Sequence, residues 1–285
     1  MATLKSSLKM IGTLDNLSFY RVAGSKEIFV RPKGGPSSKR VKTDPGFART
    51  RENASEFAAR AIAGNMIREG LKGGLTEIID YRLVQSLHAP LRTLQVLDLR
   101  RPGERGISLS ENAVIVEGLS LNKSCNLESL IRTPISCEIR EDGTATVHIP
   151  KLAPGINLRL KSRHQFFRIC AVLASVPDIH RVGEQWIPMV PNHRSGSKKV
   201  YDHTPWIHAS TTTEPYTFHL EQKIKPDSDR FIWMLSVGVQ IGRMVTPTEI
   251  VPIPRKGAAK VMRALSGRKM EGEPGEDVQP SPEVV

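Results

Sequence analysis

The chain has 285 residues, 39% hydrophobic and 25% charged, and its 41 lysines and arginines against 29 acids leave a formal charge of +12. That apolar content, with no Gly-X-Y repeat, excludes a collagen-like or wholly disordered chain. Three cysteines in so long a chain exclude a disulfide scaffold. The N-terminus, MATLKSSLKMIGTLDNLSFY, carries Lys5 and Lys9 but no apolar stretch of about 7–15 residues, so no secretory leader is expected there. No window approaches the roughly 18–20 apolar residues that span a bilayer, so no membrane partner is expected. Cys125, Cys137 and Cys170 form no Cys-x-x-Cys pair and read as reduced thiols of a cytoplasmic protein.

Taken in chain order, residues 1–43 read as a β hairpin and a basic arm. Leu17 to Tyr20 and Ile28 to Arg31 are runs of strand formers that flank the turn residues Ala23-Gly24-Ser25-Lys26. The following Pro32-Lys33-Gly34-Gly35-Pro36-Ser37-Ser38-Lys39-Arg40 has two prolines and two glycines, which argue against regular structure. Residues 44–103 read as a helical hairpin. Asp44 is a good N-cap, with Pro45 at the first helical position. Phe47, Phe57, Ala58, Ala61, Ile62 and Met66 form a rough apolar stripe that ends at Gly73-Gly74. Leu75, Ile78, Ile79, Leu83, Leu87, Leu91 and Leu94 step by three and four, which predicts a second helix with one apolar face. Pro90 should break or kink it near Ala89.

From about Ile107 the period changes to two. Strand-like runs are ISLSENAVIVEGLSL, PISCEIR, TATVHIP, INLRL, FFRICAVL, YTFHLEQKI, FIWMLSVGVQI and EIVPI, and Ala258 to Leu265 reads as a closing strand. Glu141-Asp142-Gly143 joins PISCEIR to TATVHIP as a hairpin. The fold class expected is α+β: an N-terminal β hairpin and helical hairpin, then an antiparallel β-sandwich of seven to nine strands over residues 104–266. A long loop is expected over Pro188 to Thr213, a common place for binding on such a scaffold. Residues 267–285 are rich in Pro, Gly and Glu, with a net charge of −3, and read as a disordered acidic tail.

Three blocks stand out near the front of the chain: Gly12-Thr13-Leu14-Asp15-Asn16-Leu17-Ser18-Phe19-Tyr20, Arg31-Pro32-Lys33-Gly34-Gly35, and Asp44-Pro45-Gly46-Phe47-Ala48-Arg49-Thr50-Arg51-Glu52-Asn53 followed by Glu56-Phe57. Together they resemble the shared N-terminal block of an uncharacterised bacterial family. The resemblance covers about a fifth of the chain, implies no activity and carries over no functional residue.

Enzyme motifs are weak. Gly196-Ser197-Lys198-Lys199 lacks the upstream glycine and apolar strand of a phosphate loop, and Gly24-Ser25-Lys26 sits in a hairpin turn. There is no Gly-x-Ser-x-Gly elbow. His193, His203, His208 and His219 fit no metal-ligand spacing, so no metal or cofactor is expected. Asp178, Glu184 and Asp202 are the loop acids available for carboxylate chemistry.

The strongest signal is charge. Arg21 to Arg51 holds nine basic and two acidic residues, a net of +7 in 31 residues. Arg31, Lys33, Lys39, Arg40, Lys42, Arg49 and Arg51 would grip an anionic partner, and Gly34 and Gly35 would let the backbone approach it closely. Phe19, Tyr20, Phe29 and Phe47 interleave with these cations and suit base stacking. The expectation is a non-enzymatic interaction or assembly protein whose arm docks on nucleic acid or an acidic protein face. Alternatives are a structural homo-oligomer whose arm packs on a sister chain, and an enzyme with a loop site near residues 193–208.

Overall fold

The computed structural model describes residues 2–4, 10–22, 24–161, 165–190, 197–223, 226 and 228–268. The readings placed on Lys5, Lys9, Ala23, His193, Gly196 and the acidic tail after Arg268 lie outside the described residues. The chain divides into two compact units, Met1–Glu52 and Asn53–Val285, and the architecture is α+β.

In the first unit, β1 (Ala2–Thr3), β2 (Gly12–Leu14), β3 (Leu17–Arg21) and β4 (Ile28–Pro32) form an antiparallel sheet in the order β1-β4-β3-β2. Asp15, at φ 48°, and Asn16 make the two-residue turn between β2 and β3, where short polar side chains tolerate the left-handed region. The arm after β4 is not wholly irregular. Helix α1 (Ser38–Thr43) forms there because the Ser37 hydroxyl oxygen accepts the Arg40 N–H at 3.2 Å and caps its start. Asp44 then caps a 3-10 turn, Pro45–Phe47, which runs into α2 (Ala48–Leu71).

The second unit holds most of the chain. After α2 come α3 (Leu83–Leu97), α4 (Leu127–Leu130), β5 (Ser136–Ile139), β6 (Thr144–Ile149), β7 (Phe166–Pro177), β8 (Ile179–Val182) and β9 (Gln185–Pro188). Then follow β10 (Lys198–His203), β11 (Ile207–His208), β12 (Tyr216–Glu221), β13 (Phe231–Thr246) and β14 (Glu249–Ser266). The central sheet runs β10-β7-β13-β14, with β11 also paired to β7, and two smaller sheets are β12-β6-β5 and β8-β9. The strand pairings in these sheets are antiparallel.

β7 and β13 are buried on both faces, which is why FFRICAVL and FIWMLSVGVQI read as nearly continuous apolar runs. Cys170, Val172, Ala174 and Val176 of β7 pack with Ala59, Ala63 and Ile67 of α2 and Leu87 and Leu91 of α3. The alternate residues Phe167, Ile169, Ala171 and Leu173 join Val147 of β6 and Phe218 of β12 in a second cluster. Gly238 of β13 lies under the buried turn segment of Leu75 and Ile78. A Cβ there would sit 2.6 Å from Leu75 Cδ2 and 2.7 Å from the Ala259 Cβ.

Several expectations are corrected. The second helix starts at Leu83 rather than Leu75. Asp80 ends the preceding turns by accepting the Arg82 N–H at 2.9 Å, and the Asp80 N–H donates to the Leu121 carbonyl. Leu75 and Ile78 are still fully buried, so the stripe marks burial without marking helix. Pro90 sits inside a continuous α3, whose apolar face is held by the sheet. Residues 107–121 are not a strand; they form 3-10 turns at Leu109–Glu111 and Ala113–Val116. Buried Asp178 takes the Ser110 N–H (2.9 Å) and hydroxyl, withdrawing that backbone from a ladder. INLRL is a turn with isolated bridges, Ile131 and Pro154 each meeting Leu158. The predicted loop 188–213 instead contributes β10 and β11 to the central sheet. Among the described residues, no helix is long and apolar enough to cross a membrane.

Candidate anion-binding surface

The pairing of β3 with β4 places Ser18 opposite Arg31 and Tyr20 opposite Phe29, so these four side chains share one face of the sheet. The Arg31 guanidinium lies 5.4 Å from the Tyr20 ring centroid, and the Tyr20 and Phe29 rings are 6.0 Å apart. Phe19, like Ile28, is buried, so it is a core residue rather than a stacking one. Lys33 donates its backbone N–H to the Asn16 carbonyl at 2.6 Å, which fixes where the chain leaves the sheet. Gly34 and Gly35 are exposed, and a Cβ on either would meet no atom within 4 Å.

On α1, Lys39 and Lys42 are one turn apart and both exposed. Arg40 takes a different role: its Nε pairs with Asp44 Oδ2 at 3.1 Å, and its guanidinium lies 5.7 Å from the Phe47 centroid. The Gly46 N–H and then the Arg40 side chain hold the Asp44 carboxyl below its usual range. Arg49 pairs with Glu52 at 3.0 Å. Arg51 donates from Nη1 to the carbonyls of Val41 and Asp44, both at 2.8 Å, and so ties α1 to the start of α2.

The seven nominated cations therefore divide. Arg31, Lys33, Lys39 and Lys42 have no ion-pair partner among the described residues, Arg40 and Arg49 are paired, and Arg51 is a backbone clamp. The two ion pairs follow i,i+4 and i,i+3 spacings that are readable in the sequence; the Arg51 clamp has no such signal.

The histidines and acids proposed for an enzymatic site do not converge. His203 Nδ1 faces the Thr204 carbonyl at 3.2 Å, His208 Nδ1 faces the Ser210 hydroxyl at 2.7 Å, and His219 is exposed on β12. Asp178 lies in the one-residue link between β7 and β8 but is fully buried; burial raises its carboxyl, opposed by the Ser110 hydroxyl and N–H. Asp202 accepts the His203 N–H from exposed β10, and Glu184 is exposed in the turn between β8 and β9. No three His, Cys, Asp or Glu side chains among the described residues are grouped to hold a metal.

One Ser–His contact went unread. Ser108 Oγ lies 3.0 Å from His180 Nε2 at a cavity of 470 Å³ that Asp98, Arg100 and Glu111 also line. Burial first, then Arg100 and Arg230, push the His180 pKa down. Arg230 Nη1 faces His180 Nδ1 at 3.5 Å, and a guanidinium offers only donors. With Nδ1 accepting from Arg230, the ring proton would sit on Nε2 and be donated to Ser108, the reverse of what activating that hydroxyl requires. Ser108 and His180 are 72 positions apart, and the Ile107–Ile179 bridge and the Ser110–Asp178 hydrogen bonds join their segments.

Comparison with family models, curated proteins and solved structures finds no match to this chain.

Proposed function

We propose that the protein is a non-enzymatic interaction protein whose N-terminal unit docks on a polyanion, with nucleic-acid phosphates as the best-fitting partner. The observation that carries this reading is the set Arg31, Lys33, Lys39 and Lys42, exposed and without acidic partners among the described residues. Residues 1–52 hold eleven basic and four acidic side chains, so +7 of the chain's +12 lies in this short unit. Lysines offer compact point charges to phosphates, while Arg31, backed by Tyr20, presents its donor fork at a fixed angle. The open glycines Gly34 and Gly35 let backbone N–H groups come close to the same phosphates. Contacts of this kind set position and affinity, with little sequence preference.

The test is fluorescence anisotropy of a labelled duplex titrated with the full chain. Reversing Lys33, Lys39 and Lys42 to Glu abolishes binding and leaves the circular dichroism spectrum unchanged. Equal binding by the variant, or none by the parent, refutes the reading.

A second reading, homo-oligomerisation through this unit, rests on the edge strand β2. Leu14 is 61% exposed there, beside Ile11 at 65% and Leu17 at 43%. An open edge with apolar side chains is a surface for pairing with another copy. Sedimentation velocity without nucleic acid separates the readings: an assembly that dissociates on Leu14→Lys supports the oligomer, and a monomer at all concentrations removes it.

A further inference from the structure

We propose that the second unit carries a separate, discrete binding site for a phosphate group, in the pocket framed by Arg159, Lys161, Arg255 and Lys256. This cavity of 340 Å³ also takes in Ser124 and Cys125. No carboxylate lines it, and none of the four cations has an ion-pair partner among the described residues. Glu128, on neighbouring α4, is engaged by Lys260. Four like charges around one concavity repel one another and are stabilised together by an anion bound between them.

The backbone shows that the pocket is built. β13 and β14 pair without a shift from Ser236 opposite Val261 to Gln240 opposite Gly257 and resume with Gly242 opposite Pro252. Four residues, Ile253 to Lys256, thus stand against the single Ile241. This large bulge turns Arg255 and Lys256 out of the ladder. It is held at a local cost, because Arg255 has φ 59°, a left-handed conformation that a long side chain rarely adopts. Gly257 closes the bulge at φ 106°, where a Cβ would sit 2.0 Å from the Val239 carbonyl oxygen.

Asn122 keeps the bulge in place. It is 4% exposed, donates Nδ2–H to the carbonyls of Gly257 (2.9 Å) and Arg255 (3.3 Å), and accepts the Ser124 N–H at 2.9 Å. A buried amide is therefore spent on joining the segment of Ser124 to the strained segment of Arg255. The Arg255 guanidinium also lies 5.4 Å from the Tyr81 ring centroid. The result is a fixed backbone frame from which four exposed cations border one concavity. The volume is at the small end of the roughly 300–1,000 Å³ typical of ligand pockets, enough for a phosphate and a small organic group.

The experiment uses isothermal calorimetry of the full chain with inorganic phosphate, ribose 5-phosphate and ribose at constant ionic strength. Alkylation of Cys125 is followed in parallel by peptide mass mapping. Both phosphate-bearing probes bind saturably and slow Cys125 alkylation, and ribose does neither. Equal affinity for the two assigns the site to the free ion; tighter binding of the ester assigns it to a phosphorylated small molecule. Lys256→Glu and Arg159→Glu each weaken binding by about tenfold or more, the loss of one charge-assisted contact. Both side chains are exposed, so each variant keeps the parent melting temperature. The Lys33, Lys39 and Lys42 reversal leaves phosphate binding intact, so failure here is distinct from failure of the polyanion reading. Absence of saturation with either phosphate probe, or unchanged affinity in both variants, overturns the proposal.

Discussion

The salt dependence of duplex binding discriminates most sharply, because its size follows from counting cations. Four side chains in the N-terminal unit, Arg31, Lys33, Lys39 and Lys42, lack carboxylate partners among the described residues, whereas Arg40 and Arg49 enter as ion pairs already close to neutral. Neutralising about four phosphates gives a slope of log affinity against log salt near −3.6, at about −0.9 per phosphate. Between about 50 and 200 mM salt, affinity then falls by about 150-fold. Replacing Lys33, Lys39 and Lys42 with Ala leaves Arg31 and reduces the slope by about 2.7, so the same interval costs only about three- to fourfold. The assay is anisotropy of a labelled duplex at five or six salt concentrations for parent and variant. Contacts made elsewhere on the chain add equally to both slopes and cancel in the difference. A slope that the triple replacement leaves unchanged refutes the assignment of these lysines, however tightly the parent binds.

Three further outcomes follow from the geometry. Arg51→Ala removes a charged donor from the Val41 and Asp44 carbonyls, which costs about 1–3 kcal/mol locally and speeds limited proteolysis between residues 38 and 52. Asp98 is pushed up by burial, but Arg100 and the Arg100 and Gly106 N–H groups outweigh this and hold its carboxyl at about 2, against an ordinary 3.8. Its folded pKa is depressed, so its contribution is complete above the unfolded value and is lost as pH falls from about 4 towards 2. After solvent screening it is about 1–2 kcal/mol. Urea unfolding should show Asp98→Asn less stable than the parent at neutral pH, with most of that deficit gone near pH 2; an equal deficit at both pH values rejects the mechanism. Burial pushes the Cys170 thiol up to about 12 and the Cys137 thiol to about 11, so Ellman's reagent modifies half-exposed Cys125 first and Cys170 only on unfolding.

What could be read without coordinates was what local chemistry decides. Leu17 to Tyr20 and Ile28 to Arg31 pair because strand formers flank turn formers, and Glu141-Asp142-Gly143 turns because Gly143 reaches φ 85° without penalty. Asp44 and Pro45 open a helical segment by capping. Reading failed where a distant residue decides. Residues 107–121 alternate like a strand, yet Asp178, 68 positions beyond Ser110, captures the Ser110 N–H. Leu75 and Ile78 keep helical spacing, yet Asp80 and the Leu121 carbonyl make their segment a series of turns. The phosphate pocket was illegible for the same reason. Asn122 meets the carbonyl of Gly257 across 135 positions, and no spacing rule links them.

Net charge is a poor guide to available charge, and the two cationic sets here show why. In the arm, the sequence count treats Arg40, Arg49 and Arg51 as equal to Lys39 and Lys42, although carboxylates and backbone carbonyls already occupy the first three. In the second unit, four cations spread over almost a hundred positions, from Arg159 to Lys256, leave no visible cluster in sequence but converge on one concavity. The physical consequences differ. Exposed lysines act additively through counterion release, so their affinity falls smoothly with ionic strength and is indifferent to the shape of the anion. A strained bulge clamped by a buried Asn122 selects by geometry, so its affinity depends on the shape of the anion and less steeply on ionic strength. Phosphate added at constant ionic strength should therefore fill the pocket while leaving duplex binding by the arm unchanged. Chloride raised to the same ionic strength without phosphate should do the opposite.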